Sequence, residues 1–140
     1  MPTLPHTMMA SAVQQLSGEI EDPVEQSNFK DACLTLCDTA ETVSAGQVKS
    51  IAEKFVPSQQ VSQAFDDAAE SCGFALDNAT SLPAQGMAKR LERTLSKYGV
   101  GHGVSVLLPG GITLKNVQSS DDGDGDLTLT LKLRRRDLPA

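Results

Sequence analysis

Near Gly99-Val100-Gly101-His102-Gly103 the apolar residues of this chain stop recurring at helical spacing and begin to alternate. That change of period restricts the fold to a run of helices followed by strands, because a segment patterned for one period does not bury its apolar side in the other. Charge changes sign at nearly the same place. Residues 1–88 carry twelve Asp/Glu and three Lys/Arg, whereas residues 89–140 carry six and nine, so the net charge of −6 conceals two electrostatic halves.

Before the break, local signals mark four or five helices. Residues 1–6 read as a mobile tail because Pro2 and Pro5 resist regular structure. Thr7 is positioned to cap a first helix carrying Met8, Met9, Val13 and Leu16. Asp22-Pro23 gives a capping carboxylate and a proline at the first helical position, followed by the stripe Phe29, Cys33, Leu36, Cys37 and Ala40. Ser44 and Gln47 have capping-box spacing ahead of Val48, Ile51, Ala52 and Phe55. Ser58 opens a fourth helix with Val61, Ala64, Phe65, Ala68 and Cys72 inward, stopped at Gly73. Pro83 opens a last one reaching Tyr98, with Met87, Leu91 and Leu95 inward and Gly99 as its stop.

After the break, Val104, Val106 and Leu108 share one strand face, Pro109-Gly110-Gly111 turns, and Ile112 and Leu114 return. The polar loop Asp121–Asp126 leads to Leu127, Leu129, Leu131 and Leu133, which alternate with Thr128, Thr130, Lys132 and Arg134. The expected fold is α+β: an N-terminal four- to five-helix cluster packed on a C-terminal three-stranded antiparallel β-meander. Within a single domain of 140 residues, the helical part is expected over 7–98, the β part over 103–134 and a tail over 135–140. Leu129 and Leu131 are expected in the core.

Several chemical readings fail on spacing. Cys33 and Cys37 lie one turn apart and, with Cys72 or His102, have the donors for a soft metal, but they fall on an apolar stripe and lack paired CxxC knuckles. Asp122, Asp124 and Asp126 match the first three ligands of a calcium loop, yet the next glycine is Leu127 and the twelfth-position glutamate is Leu133. A solvated tip is the simpler reading. Gly99, Gly101 and Gly103 follow a helix instead of preceding one, the reverse of a phosphate-binding loop, which makes them a hinge. His6 and His102 belong to no nucleophile, base and orienter set, so neither catalysis nor a cofactor is expected.

Lys89, Arg90, Arg93 and Lys97 form a cationic ridge opposite the apolar face of their helix. Lys115, Lys132, Arg134, Arg135 and Arg136 add further positive charge. A basic helix followed by a hairpin is the order of a winged-helix module, and these residues then contact phosphates of DNA or RNA. Ordinary solvation of an outer helix face, with Arg134 to Arg136 guarding a sticky strand, is the plainer explanation.

The expectation that results is a small, non-enzymatic interaction protein, an assembly or regulatory factor that works through a protein partner or as a homo-oligomer. Self-association is expected through the strand Leu127, Thr128, Leu129, Thr130, Leu131, Lys132 and Leu133. Winged-helix-like nucleic-acid binding is the alternative. No apolar run approaches the roughly 20 residues needed to cross a bilayer, and the start of the chain has no Lys/Arg before an apolar stretch. With three cysteines, an odd number, a cytoplasmic setting without membrane contact is expected.

Overall fold

The computed structural model describes residues 4–73 and 81–136. Five helices and six strands follow in the order α1 (Leu4–Glu19), α2 (Pro23–Thr39), β1 (Thr42–Ser44), α3 (Ala45–Ala52), α4 (Ser58–Cys72), β2 (Ser81–Pro83), α5 (Ala84–Thr94), β3 (Lys97–Gly101), β4 (Val104–Leu107), β5 (Ile112–Asp121) and β6 (Leu127–Arg135). The fold is therefore α+β, but the strands form three separate antiparallel pairs, β1–β2, β3–β4 and β5–β6, and not a three-stranded meander.

The helix starts follow local chemistry. The Asp22 carboxylate accepts from the Val24 N–H at 3.0 Å, with Pro23 in the first helical position of α2. In α3 the Ser44 hydroxyl accepts from the Gln47 N–H while the Gln47 side chain accepts from the Ser44 N–H, closing a capping box. Gly73 ends α4 with φ +82°. Ser58 is the first residue of α4 and does not cap it; Pro57 occupies that place with no side-chain bond. α1 begins three residues before Thr7, so Leu4 to His6 are helical and only residues 1–3 of the expected tail lie outside the described residues.

The order helix, three-residue strand, helix occurs twice, as α2–β1–α3 and α4–β2–α5, and β1 pairs with β2 to join the halves. No sequence repeat announces it. α2 packs on α5 and α3, while α1 lies against α4 and α5. Met8, Met9, Ala12, Val13 and Leu16 of α1 are all buried in the main core with Phe29, Cys33, Leu34, Val61, Met87 and Leu91. On α2 the fully buried leucine is Leu34, and Leu36 is only half-buried, because α2 is covered on two sides. Gln15 of α1 and Gln63 of α4 both donate to Asp67, at 2.9 and 2.8 Å, which holds that carboxyl below its ordinary range.

Two strand assignments differ from the sequence reading. α5 stops at Thr94, and Tyr98 belongs to β3, where Tyr98 and Val100 are buried between exposed Lys97, Gly99 and Gly101. Leu91, Leu95 and Tyr98 suit helical spacing, yet Tyr98 and Val100 begin a period of two. The expected hinge is the turn of a hairpin: Gly101, His102 and Gly103 have φ of +97°, +57° and +75°, joining β3 to β4. Pro109 to Gly111, in turn, do not join two paired strands. They carry the chain from β4 to a new hairpin, and a Cβ on Gly110 would collide with the Glu92 side chain.

Candidate functional site

The β5–β6 hairpin is built on an amphipathic pleat. Its register pairs Leu114 with Leu133, Val117 with Leu131, Ser119 with Leu129 and Asp121 with Leu127, so the β6 leucines share a face with Leu114 and Val117. Thr128, Thr130, Lys132 and Arg134 share the other with Ser120, Gln118, Asn116 and Thr113. A register shift between Leu114 and Asn116 sets Lys115 outside this pairing.

Only the base of the hairpin is anchored. Leu114 is 0% exposed and joins Tyr98 and Leu108 in a small second core, with Val24, Val106, Ile112, Val117 and Leu131 packed around it. The Leu114 N–H donates to the buried Ser27 hydroxyl of α2 at 2.7 Å. At the other strand, Arg136 donates to Asp31, Asp38 and Thr35 of α2, and its N–H donates to the Gly111 carbonyl at 2.8 Å. Tyr98 donates its hydroxyl to the Leu95 carbonyl, and burial pushes its pKa up to about 12. Beside it lies Lys30 of α2, buried, with Nζ 5.7 Å from the ring centre and no hydrogen-bond partner among the described residues.

Beyond this base the hairpin is uncovered. Residues 118–128 are exposed throughout; Leu129 and Leu131 are half-buried, and Leu127 and Leu133 are 38% and 45% exposed. The expectation that Leu129 and Leu131 belong to the core is corrected accordingly: Leu131 packs only against the edge of the second core, and among the described residues no third strand pairs with the hairpin to enclose Leu129. Among the described residues β6 pairs with β5 alone, which leaves its outer edge open. At the tip, Asp122 accepts from the N–H groups of Asp124 and Asp126, and Asp121 from that of Gly123. The Asp121 and Asp122 carboxylates therefore serve their own turn.

The four residues expected as a ridge on one helix are divided between α5 and β3, and the other five basic candidates stand on or beside the terminal hairpin. Lys89 and Arg93 are exposed on α5, Lys97 is exposed but stands on β3, and Arg90 is half-buried with Nη2 donating to Thr7 of α1 at 3.0 Å. Arg90 and Arg93 line a cleft of about 490 Å³ with Pro5, His6, Leu82, Pro83 and Gly86. Lys115 is exposed on β5, and Lys132, Arg134 and Arg135 are exposed on β6. Arg136 is half-buried, with its guanidinium paired to Asp31 and Asp38 of α2. That pairing was readable in principle: Asp31, Thr35 and Asp38 recur at i, i+4 and i+7, one helix face of acceptors awaiting a cation. Ser27 and Lys30 carried no comparable signal.

The cysteine pair is packing. Burial, followed by the neighbouring Cys37, pushes the Cys33 thiol up to about 12; burial, followed by Asp38, pushes Cys37 up to about 11. Both are protonated near neutrality, the form that binds metal poorly. Among the described residues no three His, Cys, Asp or Glu side chains are grouped to hold a metal ion, and no helix is long and apolar enough to cross a membrane. No family model, curated protein or solved structure matches the chain.

Proposed function

We propose that this protein is an interaction factor without catalytic machinery, and that the β5–β6 hairpin is the element through which it associates with itself. The observation that carries the reading is the combination on β6 of an open backbone edge with leucines left partly uncovered. An edge strand offers a row of unpaired N–H and C=O groups, and an apolar face beside it adds the area that makes pairing persist. Lys132 and Arg135 moderate that tendency without removing it.

Sedimentation equilibrium of the purified chain tests this reading. The expected mass is a multiple of 14.8 kDa, falling toward the monomer when Leu127 and Leu133 are replaced by Lys. A mass of 14.8 kDa at every concentration overturns it.

Nucleic-acid binding is favoured by one observation: Lys89, Arg93 and Lys97 are exposed and have no acidic partner among the described residues. The diversion of Arg90 to Thr7 and of Arg136 to α2 reduces the charge available to it. Binding of this kind weakens steeply as salt rises. A DNA or RNA mobility shift abolished by Lys89→Glu with Arg93→Glu establishes it, and no shift at low salt dismisses it.

A further inference from the structure

Resting on the self-association proposed above, we infer that the partner of β6 is β6 of a second copy, running antiparallel about a twofold axis at Thr130. The argument begins with the strand itself. From Asp126 to Arg134 the residues read Asp, Leu, Thr, Leu, Thr, Leu, Lys, Leu, Arg. About Thr130 this segment is symmetric in its leucines and opposite in its charges.

An antiparallel partner centred there sets Leu127 opposite Leu133 of the second copy and Leu129 opposite Leu131 of the second copy. Thr130 meets its own symmetry mate, and acidic Asp126 stands across from Arg134 of the second copy and diagonal to its Lys132. Paired residues in a ladder share a face, so the leucines of both copies lie on one side, continuous with Leu114 and Val117. A half-covered ribbon of two strands thereby becomes a four-stranded sheet with one leucine face.

Other registers lose this match. A slip of one residue puts every leucine opposite a polar residue and on the wrong face. Moving the centre to Leu131 sets Leu127 opposite Arg135, so that an apolar pair is replaced by a leucine against a charge. Moving it to Leu129 leaves Leu133 opposite Gly125. A parallel arrangement in register aligns Lys132 with Lys132 and Asp126 with Asp126, and like charges directly opposite are unfavourable. The acidic tip and basic stem of the hairpin are complementary only head to tail. This is the isologous, self-matching contact that a closed dimer requires.

Disulfide trapping tests the register in the full chain carrying Cys72→Ser, with Cys33 and Cys37 protected by burial. Thr130→Cys is expected to give a covalent dimer on mild oxidation. Thr128→Cys alone and Lys132→Cys alone are expected not to, since each is offset from its symmetry mate by four residues, about 13 Å along the ladder. A mixture of those two variants is expected to cross-link. Spin labels at Asp124→Cys provide a readout independent of disulfide geometry: the tips stand twelve residues apart, roughly 40 Å. A dimer with short tip-to-tip distances, or with cross-links favouring Thr128→Cys alone, overturns this register while self-association stands. A chain that sediments as a monomer overturns both.

Discussion

Replacing Lys30 by Met is expected to stabilise this protein, against the usual effect of a core substitution. Lys30 is 2% exposed and its Nζ has no hydrogen-bond partner among the described residues. Burial lowers its pKa from 10.5, with Glu92 opposing the shift and Arg136 adding to it. A buried donor left unpaired costs about 1–3 kcal/mol, and the Tyr98 ring at 5.7 Å returns about 0.5–1 kcal/mol. Methionine keeps the length and the apolar stem, so the expected gain is about 0.5–2 kcal/mol, or roughly 2–8 °C in Tm for a chain of this size. The pH dependence has a definite sign. Between the lowered folded value and 10.5 the unfolded chain binds more protons at Lys30 than the folded one, so the wild-type penalty is full at lower pH and fades as pH rises through that window. The advantage of Lys30→Met in urea unfolding is therefore expected to be largest near pH 7 and to shrink toward pH 10.5. Comparing the two proteins at each pH cancels Cys33 and Cys37, whose raised values lower stability in alkali. A Lys30→Met protein less stable than wild type at pH 7, or an advantage that grows with pH, refutes the reasoning.

Leu114→Ala is expected to cost about 2–5 kcal/mol and Leu131→Ala about 1–2 kcal/mol, because the first is enclosed and the second half-covered; equal losses in denaturant unfolding contradict the exposed outer hairpin. Ser27→Ala removes the buried acceptor of the Leu114 N–H and is expected to cost about 1–3 kcal/mol, measured in the same way. Arg136→Ala is expected to lose only about 1 kcal/mol, less at high salt, since Asp31 and Asp38 are substantially exposed. Replacing Asp122, Asp124 and Asp126 with Asn is expected to leave the fold intact, as followed by circular dichroism, because an amide oxygen at position 122 still accepts from the turn. Tight calcium binding by calorimetry that disappears in this triple variant contradicts a tip that serves only its own turn.

What the sequence made legible was local. The Asp22-Pro23 start, the Ser44 and Gln47 box and the Gly73 stop each involve bonds between residues a few positions apart, and all three stand in the structure. The end of α5 was misplaced because Leu95 and Tyr98 satisfy a helix stripe and a strand pattern alike. Strand pairing was misassigned for a different reason. Four alternating segments separated by glycine-rich turns permit several ladders, and the choice depends on contacts with α2 that no local pattern records. β5 continues past the apolar signal of Ile112 and Leu114: Lys115 to Asp121 contain only Val117 as an apolar residue and hold their conformation through β6. At the candidate site, β6 itself was legible from its alternation, whereas the loss of Arg90 and Arg136 from the basic surface follows from packing more than 80 residues distant in sequence.

The Ser27 bond to Leu114 divides the terminal hairpin into two regimes of motion. Below it, Ile112 to Leu114 open only when α2 and the Tyr98 cluster separate, so their amides are expected to exchange with deuterium on the timescale of the whole fold. Above it, the ladder from Gln118 to Thr130 is exposed apart from half-buried Leu129, and its amides are expected to exchange faster, by opening from the tip. The outer hairpin thus remains pliable while its base is fixed in direction, an arm whose two strands can adjust twist and stagger to a bound strand without charging that adjustment to the stability of the helices.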